Sequence, residues 1–182
     1  PETIEFRFRT PNSVGSSGSM VLLQKSGSGA GSEGSWAISL QDNGTTDDYG
    51  YLRFAISSSN SSTGVDPVQY ITSSLNAFYN DDFWSVMLTR KSASDGSAFT
   101  EDSIFASSSF ELTVKQYDST RQRIVYQSSE SLETGMSSSL AAFTSSGDLY
   151  LGGSGTGNHG SQFSGSMMEF RLWSEPLSQS VF

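Results

Sequence analysis

The stretch Phe163–Ser178, FSGSMMEFRLWSEPLS, is the least Ser/Gly-diluted passage in the C-terminal third of the chain. Met168, Phe170 and Leu172 recur at every second position, with Glu169 and Arg171 between them. That period belongs to a strand with one face in a core and one in water. Pro176 follows and cannot donate to a strand ladder, so the strand is expected to end before it. A strand this apolar needs a partner, and identifying that partner settles the fold.

The same rhythm runs through the rest of the chain. In TIEFRFRT, Ile4, Phe6 and Phe8 share one face, with Glu5, Arg7 and Arg9 on the other. SMVLLQKS follows, then a Gly/Ser run from Ser26 to Ser35 that reads as a loop. SWAISLQ aligns Trp36, Ile38 and Leu40, and GYLRFAIS aligns Leu52, Phe54 and Ile56. Between them Asn43-Gly44 supplies residues that tolerate positive φ in a turn. DPVQYITSS is a further short strand, and FWSVMLTRK aligns Trp84, Val86 and Leu88. SFELTVKQYD aligns Phe110, Leu112 and Val114, and RQRIVYQSS returns across DST as a hairpin. ETGMSSSLAAFTSSG is compatible with one helical turn at Leu140 to Phe143, and DLYLGG supplies Leu149 and Leu151. About ten short, evenly spaced strands predict an all-β, two-sheet sandwich.

Composition bounds what such a domain does. At 182 residues the chain fits a single domain spanning 1–182 with a real core. It starts at Pro1 and is expected to be excised from a longer protein. The net charge of −9 argues against nucleic acid, whose phosphates demand a basic face, and against an anionic membrane surface. No apolar run approaches the roughly 20 residues that membrane insertion requires. Cysteine is absent, which excludes disulfides and thiolate metal sites.

Four blocks, in order, resemble the laminin-G-like branch of the concanavalin A-like lectin/glucanase superfamily. TIEFRFRT resembles the opening strand. NDDFWSVMLTRK is similar to an Asp-Gly turn followed by Trp-His-His-Val-Ala-Val-Thr-Arg, with Phe83, Trp84 and Ser85 standing where the aromatic and the two histidines usually are. LYLGG, Leu149 to Gly153, matches a Leu-Tyr-Ile-Gly-Gly strand end. FSGSMMEFRLWSEPLS resembles Phe-x-Gly-x-Ile-Asp-Glu-Val-Arg-Ile-Trp-Asn-x-Ala-Leu-Ser. The resemblance implies an antiparallel jelly-roll sandwich in which the first and last strands pair. Ile4, Phe6 and Phe8 would then lie near Met168, Phe170 and Leu172.

Catalytic patterns are weak. A glucanase of this superfamily needs a Glu-x-Asp-x-x-Glu trio, and Glu169 stands alone in its strand, best read as paired with Arg171 or a neighbouring charge. His159 lies in the Gly-rich GTGNHGSQ with no Gly-x-Ser-x-Gly elbow to partner it. Gly29/Gly31/Gly34 and Gly155/Gly157/Gly160 match Gly-x-Gly-x-x-Gly but lead into strands, not helices. The sequons at Asn43 and Asn60 fit chance in so Ser-rich a chain.

Calcium is the candidate cofactor. Members of the resembled family hold it at a sandwich edge, and Asp42, Asn43, Asp47 and Asp48 cluster in one loop, with Asp81 and Asp82 in another. Solvated turn residues are the ordinary reading of both. Loop aromatics stack on sugar rings when exposed and otherwise cap the core. Tyr49, Tyr51 and Tyr79, joined by Asn158 and His159, are the candidate ligand contacts; Tyr70, Phe78 and Phe83 also sit in or near loops.

The expected function is a non-catalytic recognition module for glycan or another cell-surface ligand, extracellular, on a cell surface or in a virion. Its other partners would be neighbouring domains of its own chain or virion subunits. The alternative is a structural domain decorating a capsid, tail or fibre, with Met87 and Met167 as outward contacts. A glycan hydrolase or lyase is the third reading.

Overall fold

A computed structural model describes residues 2–11, 18–25, 35–44, 48–57, 68–91, 108–118, 120–134, 148–153, 161–180 and 182. The described residues form eleven strands and no helix. They are β1 (Thr3–Arg9), β2 (Met20–Lys25), β3 (Ser35–Asp42), β4 (Gly50–Ser57), β5 (Val68–Thr72), β6 (Trp84–Lys91), β7 (Ser108–Asp118), β8 (Arg123–Thr134), β9 (Leu149–Leu151), β10 (Ser161–Gln162) and β11 (Ser166–Trp173). The Gly/Ser run before β3 and the helical turn expected at Leu140 to Phe143 lie outside the described residues, as do the two glycine motifs.

Two sheets pack face to face. The first runs β11-β1-β6-β7-β8; the second runs β10-β2-β3-β4-β5, with β9 also paired to β2. Every pairing is antiparallel except the two-residue contact of β10 with β2. One core fills the space between them, because strands such as β1, β4, β6 and β7 turn their alternate apolar side chains inward. Ile4, Phe6, Phe8, Val86, Leu88, Leu112 and Val114 meet Leu22, Ile38, Leu40, Leu52, Phe54 and Ile56 there. Phe54 and Phe110 touch across the sheets with ring centroids 5.2 Å apart. At one end Phe8, Phe78, Trp84 and Tyr126 form a chain of ring contacts, each 4.7–5.8 Å from the next.

The first and last strands pair as expected: Ile4 stands opposite Leu172, and Thr3 opposite Trp173. The register carries a bulge. Glu5 pairs with Arg171 and Arg7 with Met168, so Phe6 faces two residues, Glu169 and Phe170. Glu169 takes φ +54°, which is how one extra residue is fitted into a ladder. The bulge reverses the alternation beyond it, and this corrects the expectation for Met168. Met167, opposite Phe8, packs on the core with Phe170, whereas Met168 is 41% exposed beside Arg7. Leu172 lies on the core side but at the sheet edge, and is half exposed. Met87 is fully buried, so neither it nor Met167 supplies an outward contact.

Met87 faces away from the core, yet it is covered. After Trp173 the chain turns back and crosses the outer face of the five-stranded sheet as a strap. Thr3 Oγ1 donates to the Glu175 carbonyl (2.9 Å) and accepts from the Leu177 N–H (3.0 Å). Thr89 Oγ1 donates to the Leu177 carbonyl. Lys115 Nζ donates to the backbone oxygens of Gln179 and Phe182 and lies 5.0 Å from the Phe182 ring. Gln179 in turn donates to Glu111 and accepts from Gln127. Burial pushes the Lys115 ammonium below its ordinary pKa. Pro176 therefore does more than end a strand; it sits at the start of this reversal.

Two glycines have local reasons. Gly44, at φ +75°, closes the Asn-Gly turn after β3, with its N–H donated to the Asp42 carboxylate. Gly165 lies where a Cβ would come within 2.3 Å of the Arg9 carbonyl and 2.5 Å of the Phe163 ring. That contact seats Phe163 edge-on against Phe8, which gives the Phe-x-Gly pattern a packing origin.

Candidate functional site

The strap covers only part of the outer face. Its last anchor, Lys115, pairs in register with Ser85, and Ser85 pairs with Arg7. From there to the end of the sheet the face opens into a groove of about 360 Å³. Arg7, Ser85 and Met168 form one row; Arg9, Phe83 and Tyr117 form the next; Asp81 and Asp82 close the end.

The β5–β6 connection places three of these residues. Asn80 Oδ1 accepts from the Asp82 N–H (3.1 Å) and from the Trp84 indole N–H (3.2 Å), tying the turn to a core side chain. Asp81 takes φ +60°, a conformation that Asp adopts more readily than most residues. Its carboxylate lies 3.6 Å from Arg9 Nε, and the Arg9 guanidinium lies over the Phe83 ring at 5.1 Å. Asp82 accepts from Gln116 Nε2 at 3.1 Å.

Charge in the groove is largely compensated. Arg7 meets Glu169 at 3.4 Å, and Arg171 bridges Glu169 (3.4 Å) and Glu5 (2.8 Å). The expected pairing of Glu169 with Arg171 is thus present, with Arg7 added. Tyr117 is 48% exposed and offers an aromatic surface beside these groups. Two guanidinium groups, two carboxylates and a ring in one cleft offer donors, acceptors and an apolar platform at once.

The residues expected to bind ligand are placed differently. Tyr49 is 47% exposed and Tyr51 is partly buried, but neither lines the groove. Tyr79 is a correction: it is 3% exposed and packs in the core, so its ring is not offered to a ligand. Burial, reinforced by the nearby Asp42 carboxylate, pushes its hydroxyl up to about 12. Phe78 is likewise buried, whereas Tyr70 is half exposed with the Arg53 guanidinium 3.7 Å above its ring. Asn158 and His159 lie outside the described residues.

Of the calcium set, Asp42 caps the turn at Gly44, and the Asp48 carbonyl accepts from the Tyr79 N–H at 3.0 Å. Asp47 lies outside the described residues, and with it the complete four-residue set. Among the described residues no group of three or more His, Cys, Asp or Glu is placed to hold a metal ion.

Sequence reading missed Arg7, Arg9 and Tyr117 because each looks like an ordinary outward residue on its strand. The available signal was the pair Arg7 and Arg9 on one face of β1, in a chain with only 10 Lys and Arg in all. No protein-family model matches the chain, and no curated protein is similar to it in sequence.

Proposed function

We propose that this chain is a non-catalytic recognition module, a jelly-roll sandwich of laminin-G-like, concanavalin A-like type, that binds a glycan in the groove beside the strap. The observation that carries the reading is the exposed Tyr117 ring flanked by compensated Arg and Asp side chains. Sugars present apolar C–H faces and many hydroxyls, which match a ring edged by paired donors and acceptors. The cleft volume falls within the range of small-molecule sites.

Hydrolysis finds less support in the same geometry. A glycosidic general acid works from a desolvated carboxyl, while the Asp81 side chain is 57% exposed and ion-paired. The setting of such a module is an extracellular, cell-surface or virion protein.

A second reading, an assembly domain that contacts sister subunits, draws on Ile124 and Val125, exposed at the tip of the β7–β8 hairpin. Glycan-array binding and calorimetry on the chain and on Tyr117→Ala separate the two. The expected result is array binding weakened about tenfold or more by the substitution, equivalent to 1.4 kcal/mol or more. No array signal, together with self-association through the hairpin, would favour the assembly reading.

A further inference from the structure

We infer that the groove's ligand is a neutral, extended β-linked oligosaccharide laid across the strands, one ring per strand, beside the Arg9–Phe83 stack and over Tyr117 and Ile124. This rests on the glycan reading above and adds the ligand's direction, charge and length.

Direction follows from the register and the strap. Two rows of side chains leave the groove toward β8. The row through Ser85 continues to Lys115, where Gln179 and Phe182 already sit, so it is closed. The next row lies one step beyond the pairs Phe8–Trp84 and Trp84–Gln116, and runs from Arg9 and Phe83 to Tyr117. A bulge between Gln116 and Tyr117 pairs Tyr117 directly with Ile124, so both project from the same face. Each is 48% exposed. An apolar track therefore continues past the groove onto β8, and of these two rows it is the one the strap leaves open.

Length follows from strand spacing. Neighbouring strands lie about 4.8 Å apart, close to the advance per ring along a β-1,4-linked pyranose chain. A ribbon-like chain thus places successive rings over successive strands. An α-linked chain coils and does not keep this spacing.

Charge follows from the ion pairs. Arg7 and Arg9 are engaged by Glu169 and Asp81, and Asp82 adds a further carboxylate. Within the groove a uronate or sulfated sugar would compete with Glu169 and Asp81 for arginines that already carry ion pairs, whereas hydroxyls find donors and acceptors.

The test is calorimetric titration of the whole chain with glucose and cello-oligosaccharides up to the hexamer, with malto-oligosaccharides as the α-linked comparison. Affinity should rise roughly threefold to tenfold per ring, level off at the trimer, and be absent for the α-series. Ile124→Ser, at an exposed site, should remove only the dimer-to-trimer step and leave the melting temperature unchanged. Equal affinity for monomer and trimer, preference for the α-series, or a trimer step unchanged in Ile124→Ser would overturn this inference while sparing glycan recognition. Failure of both series and of the glycan array would overturn both.

Discussion

Phe8 and Met167 face each other across the β1–β11 ladder and both pack on the core, while the adjacent Met168 stands opposite Arg7 on the outer face. The two methionines are adjacent in the chain, and the bulge at Glu169 beside them sets which one faces inward. Met167→Ala should therefore cost about 2 kcal/mol and Met168→Ala less than about 0.5 kcal/mol. Urea unfolding of both variants checks this; the reverse order would move the bulge.

Gly165 leaves no room for a methyl group between the Arg9 carbonyl and the Phe163 ring. Both neighbours are held, one by the backbone of β1 and the other by its contact with Phe8. Gly165→Ala should destabilise by about 1–3 kcal/mol, the range for overpacking. An unchanged melting temperature would mean that Phe163 moves freely.

The buried Tyr79 hydroxyl gives the domain an alkaline limit. Its pKa is raised from 10 to about 12, so the folded state holds this proton more tightly than the unfolded chain does. The associated stability is complete below pH 10 and is lost as pH climbs from there toward about 12. It amounts to about 2–3 kcal/mol. Denaturant midpoints measured across that range should fall in the parent and fall less in Tyr79→Phe.

Lys115 holds two carbonyls of the strap, and Met87 lies fully buried inside the frame of Thr3, Thr89, Glu111 and Lys115. Lys115→Ala should lower stability by about 1–2 kcal/mol, two hydrogen bonds offset by relief of a buried charge. It should also loosen the strap's far end. Peptide mapping after mild peroxide treatment should then show faster sulfoxide formation at Met87 than in the parent. Equal rates would place the strap's grip elsewhere.

The two-sheet fold was legible because its information is local. Ile4, Phe6 and Phe8, or Val86 and Leu88, announce a buried face by alternation alone, and hydrophobic burial then brings such faces together. The bulge was not legible. SMMEF permits either methionine inward, and the choice depends on how Glu169 accommodates the partner strand. The strap left no periodic trace either, since the sheet grips mainly its backbone oxygens, which every residue carries. The groove draws on four separate segments, and its arginines read in isolation as solvent-facing charges. Asp81, Asp82 and Phe83 stood out as loop residues, but only the fold sets them beside Arg9 and Tyr117.

The pairing of Thr3 with Trp173 also brings the outer ends of β1 and β11 to one corner of the sandwich. Tension between those ends would load the ladder rung by rung, as a zipper opens, instead of shearing all rungs together. A pull on Phe182 meets Lys115 first, then Thr89 and Thr3, before any rung is strained. Under such a load the side-chain clasp on the strap would part before the β1–β11 ladder opens.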